Sequence, residues 1–186
     1  MNTDHVATTH AARTPKALEE EWHSAARTIR ERGLPPDILP VEALRENSGL
    51  ELFQKMLRGE LPPPPIAKTL DFSLVEAEKG RVVFQGHPAR THYNPINSVH
   101  GGYHATLLDS CVACAVQSML EAGQGYTTLE LKVNYLRALT DQVGPVRAEG
   151  KVIHVGKQIG TAAGQLYDAA GRLYAHATTT CLIFTV

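Results

Sequence analysis

Asp109 is a carboxylate in a stretch of small and apolar residues, eight positions after the glycine pair Gly101-Gly102. The run begins Asn94-Pro95-Ile96-Asn97-Ser98-Val99-His100-Gly101-Gly102, a proline-bearing loop, and then continues for about twenty residues without glycine or proline. Leu108, Cys111, Val112, Ala115 and Met119 recur at helical spacing, which predicts a largely buried helix extending towards Gly123. The first N–H groups of a helix have no intrahelical acceptor, and glycines there let another atom approach closely. Together with the positive end of the helix dipole, the N–H groups of Gly101 and Gly102 suit a developing oxyanion. Asp109 falls on the border of the apolar stripe, where a carboxylate is a candidate base or nucleophile.

Spacing alone adds a constraint. Eight residues of helix span about 12 Å at ~1.5 Å per residue, further than an aspartate side chain reaches. If Gly101 and Asp109 act on one carbonyl, they come from different subunits. Two such helices packed antiparallel across a twofold axis build two identical sites. The expectation is an obligate homodimer with composite sites.

Other chemistries fit the same stretch less well. His92, His100 and His104 suggest a metal site, but no HExxH pattern accompanies them and the glycines interrupt the first turn, so no metal is expected. Cys111-x-x-Cys114 lies mid-helix, away from the helix start where a thiolate is stabilised, and reads as two small core residues. Ser110 lacks a Gly-x-Ser-x-Gly elbow.

The elements that position this helix follow from patterning. Residues 1–15 read as a disordered leader. Leu18, Trp22, Ala26 and Ile29 predict a surface helix over Pro15–Arg32, ended by Gly33-Leu34-Pro35-Pro36. A second helix is expected over Val41–Arg58, stopped by Gly59. Pro62-Pro63-Pro64-Pro65 reads as a stiff spacer and marks a boundary between an extension, residues 1–60, and a domain, residues 61–186. The sequence does not say whether the extension covers the sheet or mediates assembly. Leu70, Phe72 and Leu74, then a turn at Lys79-Gly80, then Val82 and Phe84 give a hairpin. Beyond the central helix, strand patterns cover 127–138, 145–155, 158–167 and 172–185. In the first of these Leu129, Leu131, Val133 and Tyr135 share a face. Turns at Gly156-Lys157 and Asp168-Ala169-Ala170-Gly171 are short, so neighbours are antiparallel. Small residues such as Ala148, Gly150 and Gly164 let the helix settle close to the sheet. The fold class is α+β, one long helix against an antiparallel sheet of about six strands.

Composition narrows the setting. A formal net charge of -1 over 186 residues gives no electrostatic argument for nucleic acid or an anionic membrane. No apolar run approaches the roughly eighteen residues of a membrane span. Met1–Arg13 has no apolar core of a signal peptide, and three cysteines suggest no secreted disulfide framework. A cytoplasmic protein is expected.

Two hairpin strands, a loop, one central helix and four further strands is the order of the hotdog fold. The motif resembles the PaaI-like branch of hotdog acyl-CoA thioesterases. The residues that carry the resemblance are Asn94-Pro95 ahead of His100-Gly101-Gly102, Asp109 in Leu107-Leu108-Asp109-Ser110, the strand Leu131–Arg137, and Gly171-Arg172-Leu173-Tyr174-Ala175. The resemblance implies hydrolysis of acyl- or aryl-acyl-CoA by a dimer or dimer of dimers, without a cofactor beyond the coenzyme A of the substrate. It also implies that Asp109 is base or nucleophile, that Gly101 binds the carbonyl, and that Asn94 and His100 orient substrate and water. Some relatives place Ser or Thr one turn after the carboxylate, where this chain has Ala113. Gly102, Ala113 and Tyr135 are further substrate-binding candidates, and Arg137 and Lys157 are candidates for the coenzyme A phosphates or simply solvated charges. The competing reading is a non-catalytic acyl-CoA-binding or sensing module on the same fold; the Asp/His pair of a hotdog hydratase is not found.

Overall fold

The computed structural model describes residues 14–186. The leader expected over residues 1–15 lies outside them, apart from Thr14 and Pro15, which start the first helix. Helix α1 spans Pro15–Arg32 as the patterning predicts, with Thr14 Oγ1 accepting from the Ala17 N–H and Pro15 at the first helical position. Helices α2 (Val41–Glu46), α3 (Gly49–Arg58) and α4 (Pro65–Thr69) precede strands β1 (Phe72–Glu78) and β2 (Arg81–Gly86). The central helix α5 spans Gly101–Gln117, ending short of Gly123. After it come β3 (Gln124–Tyr135), β4 (Val146–Val155), β5 (Ile159–Asp168) and β6 (Leu173–Thr185).

The six strands form one antiparallel sheet in the order β1-β2-β4-β5-β6-β3. Helix α5 touches five of them, so the sheet wraps around it. Leu107, Leu108, Cys111, Val112, Ala115 and Val116 are fully buried against Val82, Ala148, Ala162 and Leu166. The close approach expected of small residues is real at Gly150, where an added Cβ would lie 2.2 Å from the Cys111 carbonyl oxygen and 2.7 Å from the Val112 nitrogen. Both are backbone atoms of α5 and cannot rotate away. Gly150→Ala is therefore expected to push the helix off the sheet and lower stability by about 3 kcal/mol, read from urea unfolding midpoints.

Three sequence expectations need correction. The single helix expected over Val41–Arg58 is two, because Asn47 and Ser48 are extended and Ser48 starts a new helix with a capping box. Ser48 Oγ accepts from the Glu51 N–H, and the Glu51 carboxylate accepts from the Ser48 N–H at 2.8 Å. The proline run is only partly a spacer, since Pro64 and Pro65 initiate α4, where a missing N–H costs nothing. Strand β3 starts three residues earlier than expected and ends three earlier, the N–H groups of Leu136 and Arg137 both turning to the Tyr174 carbonyl. A bulge between Thr128 and Glu130 also shifts its parity. Leu131 and Val133 pack against the core as expected, but Leu129 is 58% exposed and does not share their face.

The extension packs onto the domain. Trp22, 4% exposed, lies under the Arg147 guanidinium (4.4 Å) and edge-on to Tyr167 (6.0 Å), and its carbonyl accepts from Gln85 Nε2. These partners sit on the face of β2, β4 and β5 opposite α5, so β2 is buried on both faces and loses the usual alternation. Near its end, Arg30 pairs with Asp71 (2.8 Å) and donates to Ser73 Oγ. On the other side α3 docks on the end of α5, with the Gly49 N–H donating to the Leu120 carbonyl. The Gly123 N–H at the start of β3 donates to the Leu44 carbonyl in α2. Helices α2 and α3 thus bridge from β3 to β1 across the open side of the wrap. Among the described residues no helix is long and apolar enough to cross a membrane.

Candidate active site

The start of α5 is built for an incoming acceptor. His100 is its N-cap, and its Nδ1 accepts the Gly102 N–H at 2.8 Å. That bond uses Nδ1 and leaves Nε2 as the free ring nitrogen of an exposed side chain. It also occupies the Gly102 donor, so of the two glycine N–H groups that of Gly101 is the one with no acceptor among the described residues. The Tyr135 hydroxyl donates to the Gly101 carbonyl at 3.1 Å and its ring lies 3.2 Å from where a Gly101 Cβ would be, which positions this peptide.

Asn94 closes its own loop. Its Oδ1 accepts from the N–H groups of Ile96 and Ser98, and its Nδ2 donates to Ser98 Oγ. This shapes the approach to His100, whose N–H donates to the His92 carbonyl at 2.7 Å. His92 stacks on Tyr103 with ring centroids 4.4 Å apart. Burial lowers the His92 pKa below its ordinary value, and it lowers that of His104 likewise, so both are neutral at pH 7. The ring nitrogens that bond do so with backbone groups: His92 Nδ1 accepts the Ala89 N–H and His104 Nδ1 lies against the His100 carbonyl. Among the described residues no group of three or more His, Cys, Asp or Glu is arranged to hold a metal ion.

Asp109 is half-buried on α5 at the seam with β3. Thr128 Oγ1 donates to its Oδ1 at 3.0 Å. Sequence reasoning missed Thr128, because only the bulge after it turns its hydroxyl inward. One turn on, Ala113 is 2% exposed and leaves space rather than a hydroxyl beside the carboxylate. The thiols nearby are inert: burial pushes Cys114 up to about 12 and raises Cys111 well above its ordinary value.

Helix α5 is one continuous element from Gly101 to Gln117, so the separation of about 12 Å between Gly101 and Asp109 stands. Nor does one chain bring Arg137 and Lys157 together. Arg137 lies by Tyr174 at the start of β6, whereas Lys157 is exposed beside Gln158, which meets Ile183 near the end of β6. Nine residues of strand separate those points, about 30 Å.

A helix wrapped by a six-stranded antiparallel sheet defines a hotdog-fold protein, here with an unpaired glycine N–H at the helix start and a carboxylate eight residues on. The thioesterase superfamily model matches residues 96–175. A phenylacetic acid degradation-related protein from Ralstonia eutropha JMP134 is 31% identical. Its structure superposes with a TM-score of 0.64 over 70% of this chain and 98% of its own. The proofreading thioesterase EntH of Klebsiella pneumoniae is 34% identical over 84 residues, 45% of this chain and 59% of that protein. Protein smu.793 of Streptococcus mutans, solved bound to acetyl CoA, is 25% identical with a TM-score of 0.56, over 61% of this chain and 89% of its own. The chain belongs to the thioesterase superfamily, on its PaaI-like hotdog branch, and is a thioester hydrolase.

Proposed function

We propose that this chain hydrolyses acyl-CoA thioesters in composite sites of a homodimer, each built from Gly101 of one subunit and Asp109 of the other. The observation that carries the reading is the pair of groups itself: one unpaired N–H and one carboxylate, too far apart on a rigid helix to meet in one chain. The smu.793 complex supports coenzyme A as the carrier.

The sheet supports the dimer. Strands β1 and β3 are its edges; α1, α3 and α4 pack on β1, but β3 has only a slight contact with α2. β3 runs for twelve residues with Leu129 and Tyr135 exposed, followed by exposed Leu136. Such an edge invites pairing with a second copy. Pairing β3 with β3 across a twofold axis sets two α5 helices side by side and antiparallel.

In the reaction the Gly101 N–H polarises the thioester carbonyl. The Asp109 carboxylate then attacks the carbonyl carbon or takes a proton from the attacking water. The C–S bond breaks. Where Asp109 acted as base, it passes the water's proton to the departing thiolate. Where it attacked, a water hydrolyses the acyl-aspartyl anhydride, giving the free acid and the proton the thiolate takes. His100 directs Nε2–H towards the bound substrate, and Asn94 holds the loop that carries it. Thr128 is a positioning residue that orients the carboxylate. Thr128→Val is expected to lower kcat about tenfold with KM little changed, and Thr128→Ser to restore it, since a hydrogen bond to a charged group is worth roughly 1.5–3 kcal/mol. Arg137 and Lys157 reach coenzyme A phosphates only from different subunits.

The reading is tested by thiol release from acetyl-, decanoyl-, palmitoyl-, benzoyl- and phenylacetyl-CoA. At least one is expected to turn over. Inertness across the panel contradicts it.

A further inference from the structure

An apolar cavity lies under the helical extension, away from the glycine end of α5. It holds about 720 Å³, within the ~300–1,000 Å³ usual for small-molecule sites. Its buried end is made by Phe53 and Met56 of α3, Phe72 and Leu74 of β1, Phe84 of β2, and Cys114 of α5. Its rim is formed by Leu34, Ile38 and the proline run, with Leu34 44% and Ile38 80% exposed. Charged groups among the lining, Arg30, Asp37, Lys68 and Asp71, come from α1, the loop after it, α4 and the turn before β1.

The α5–β3 seam separates the cavity from the candidate carboxylate, and Cys114 is common to the seam and the cavity lining. Two contacts define that seam: Thr128 Oγ1 with Asp109 Oδ1, and the Tyr126 hydroxyl with Cys114 Sγ at 3.8 Å. Tyr126 and Thr128 are two residues apart on one strand, hence on one face and roughly 7 Å apart. Asp109 and Cys114 lie about 7.5 Å apart along the α5 axis at ~1.5 Å per residue, and Cys114 lines the cavity. The walls beyond are shared between the extension, the proline run, α4, β1 and β2. The Ralstonia protein is covered over 98% of its length by 70% of this chain, so it has almost nothing to match the remainder.

We infer that the cavity receives the acyl tail, and that the substrate class is a medium-chain, unbranched acyl thioester whose alkyl end lies between α3, β1 and the proline run. This rests on the acyl-CoA reading above and assigns the helical extension a role in substrate selection. A flexible alkyl chain suits an apolar cavity of this volume, and its burial supplies the binding energy.

The test compares kcat/KM for decanoyl-CoA and acetyl-CoA, together with decanoate binding by calorimetry, in the wild type and two variants. Met56→Trp fills the cavity from its wall; Ile38→Asp sets a charge at an exposed rim position and leaves the fold intact. The decanoyl-to-acetyl ratio is expected to fall at least tenfold in both, with decanoate affinity falling alongside. A ratio and an affinity unchanged in both variants overturn the assignment, as does a wild type that turns over acetyl-CoA but neither hydrolyses decanoyl-CoA nor binds decanoate. If the wild type hydrolyses no acyl-CoA yet binds decanoate, and both variants weaken that binding, the cavity stands and the acyl-CoA reading falls. No decanoate binding in that case removes both.

Discussion

Asp109→Asn is expected to lower kcat roughly a thousandfold, inside the ~10²–10⁴ range for losing a positioned base and larger if the carboxylate is the nucleophile. The substitution keeps size and shape, and the amide oxygen still accepts from Thr128 Oγ1, so the α5–β3 seam has no reason to open. Thermal unfolding is therefore expected to match the wild type within a degree or two, and KM to change little. A full kcat in the variant contradicts any role for the carboxylate in the chemistry, and unfolding shows instead that Asp109 serves the seam.

Gly101→Pro is expected to lower kcat by about 10²–10³, the cost of removing one oxyanion donor. Proline removes the N–H and little else at this position. Gly101 is the first helical residue, where proline is favoured, and His100 has φ -60 and ψ 140, which a residue before proline adopts readily. The added Cβ meets Tyr135 side-chain atoms at 3.2–3.3 Å, which can shift by a few tenths of an ångström. Gly101→Ala keeps the N–H and meets the same ring, so it separates crowding from the missing donor: it is expected to retain most of the rate. Equal losses in both variants point to crowding and against the donor.

Much of the fold is legible in the sequence because its signals are local. The stripe of Leu18, Trp22, Ala26 and Ile29 places α1 to the residue, and the stop at Gly59 holds, its backbone left-handed with φ 77. The hairpin turns at Lys79-Gly80 and Asp168–Gly171 also hold. At the latter the Asp168 carboxylate accepts from the N–H groups of Ala170 and Arg172. The Ser48–Glu51 box was local too, and the apolar run on either side of it masked the break.

What the sequence does not carry is relational. Leu129 alternates properly with Leu131 on paper, but β6 offers Thr180 to Glu130 and Cys181 to Thr128, leaving Leu129 without a partner. That single extra residue aims Thr128 at Asp109, which no count along the chain reveals. The same holds for His100 and Gly102. Their sequence adjacency is plain, but which of two glycine donors stays unpaired depends on a side-chain bond. The cavity under the extension is assembled from six elements spread along the sequence, so the extension reads in isolation only as two amphipathic helices and a proline run.

The sharing of one site between two subunits is tested most directly by mixing the two disabled proteins. Asp109→Asn and Gly101→Pro homodimers, unfolded together in equal amounts and refolded, assort at random, and half the dimers are hybrids. Each hybrid holds one site with both groups intact and one with neither, so the mixture is expected to regain about a quarter of wild-type activity. A mixture that stays at the residual rates of its two components contradicts the composite site.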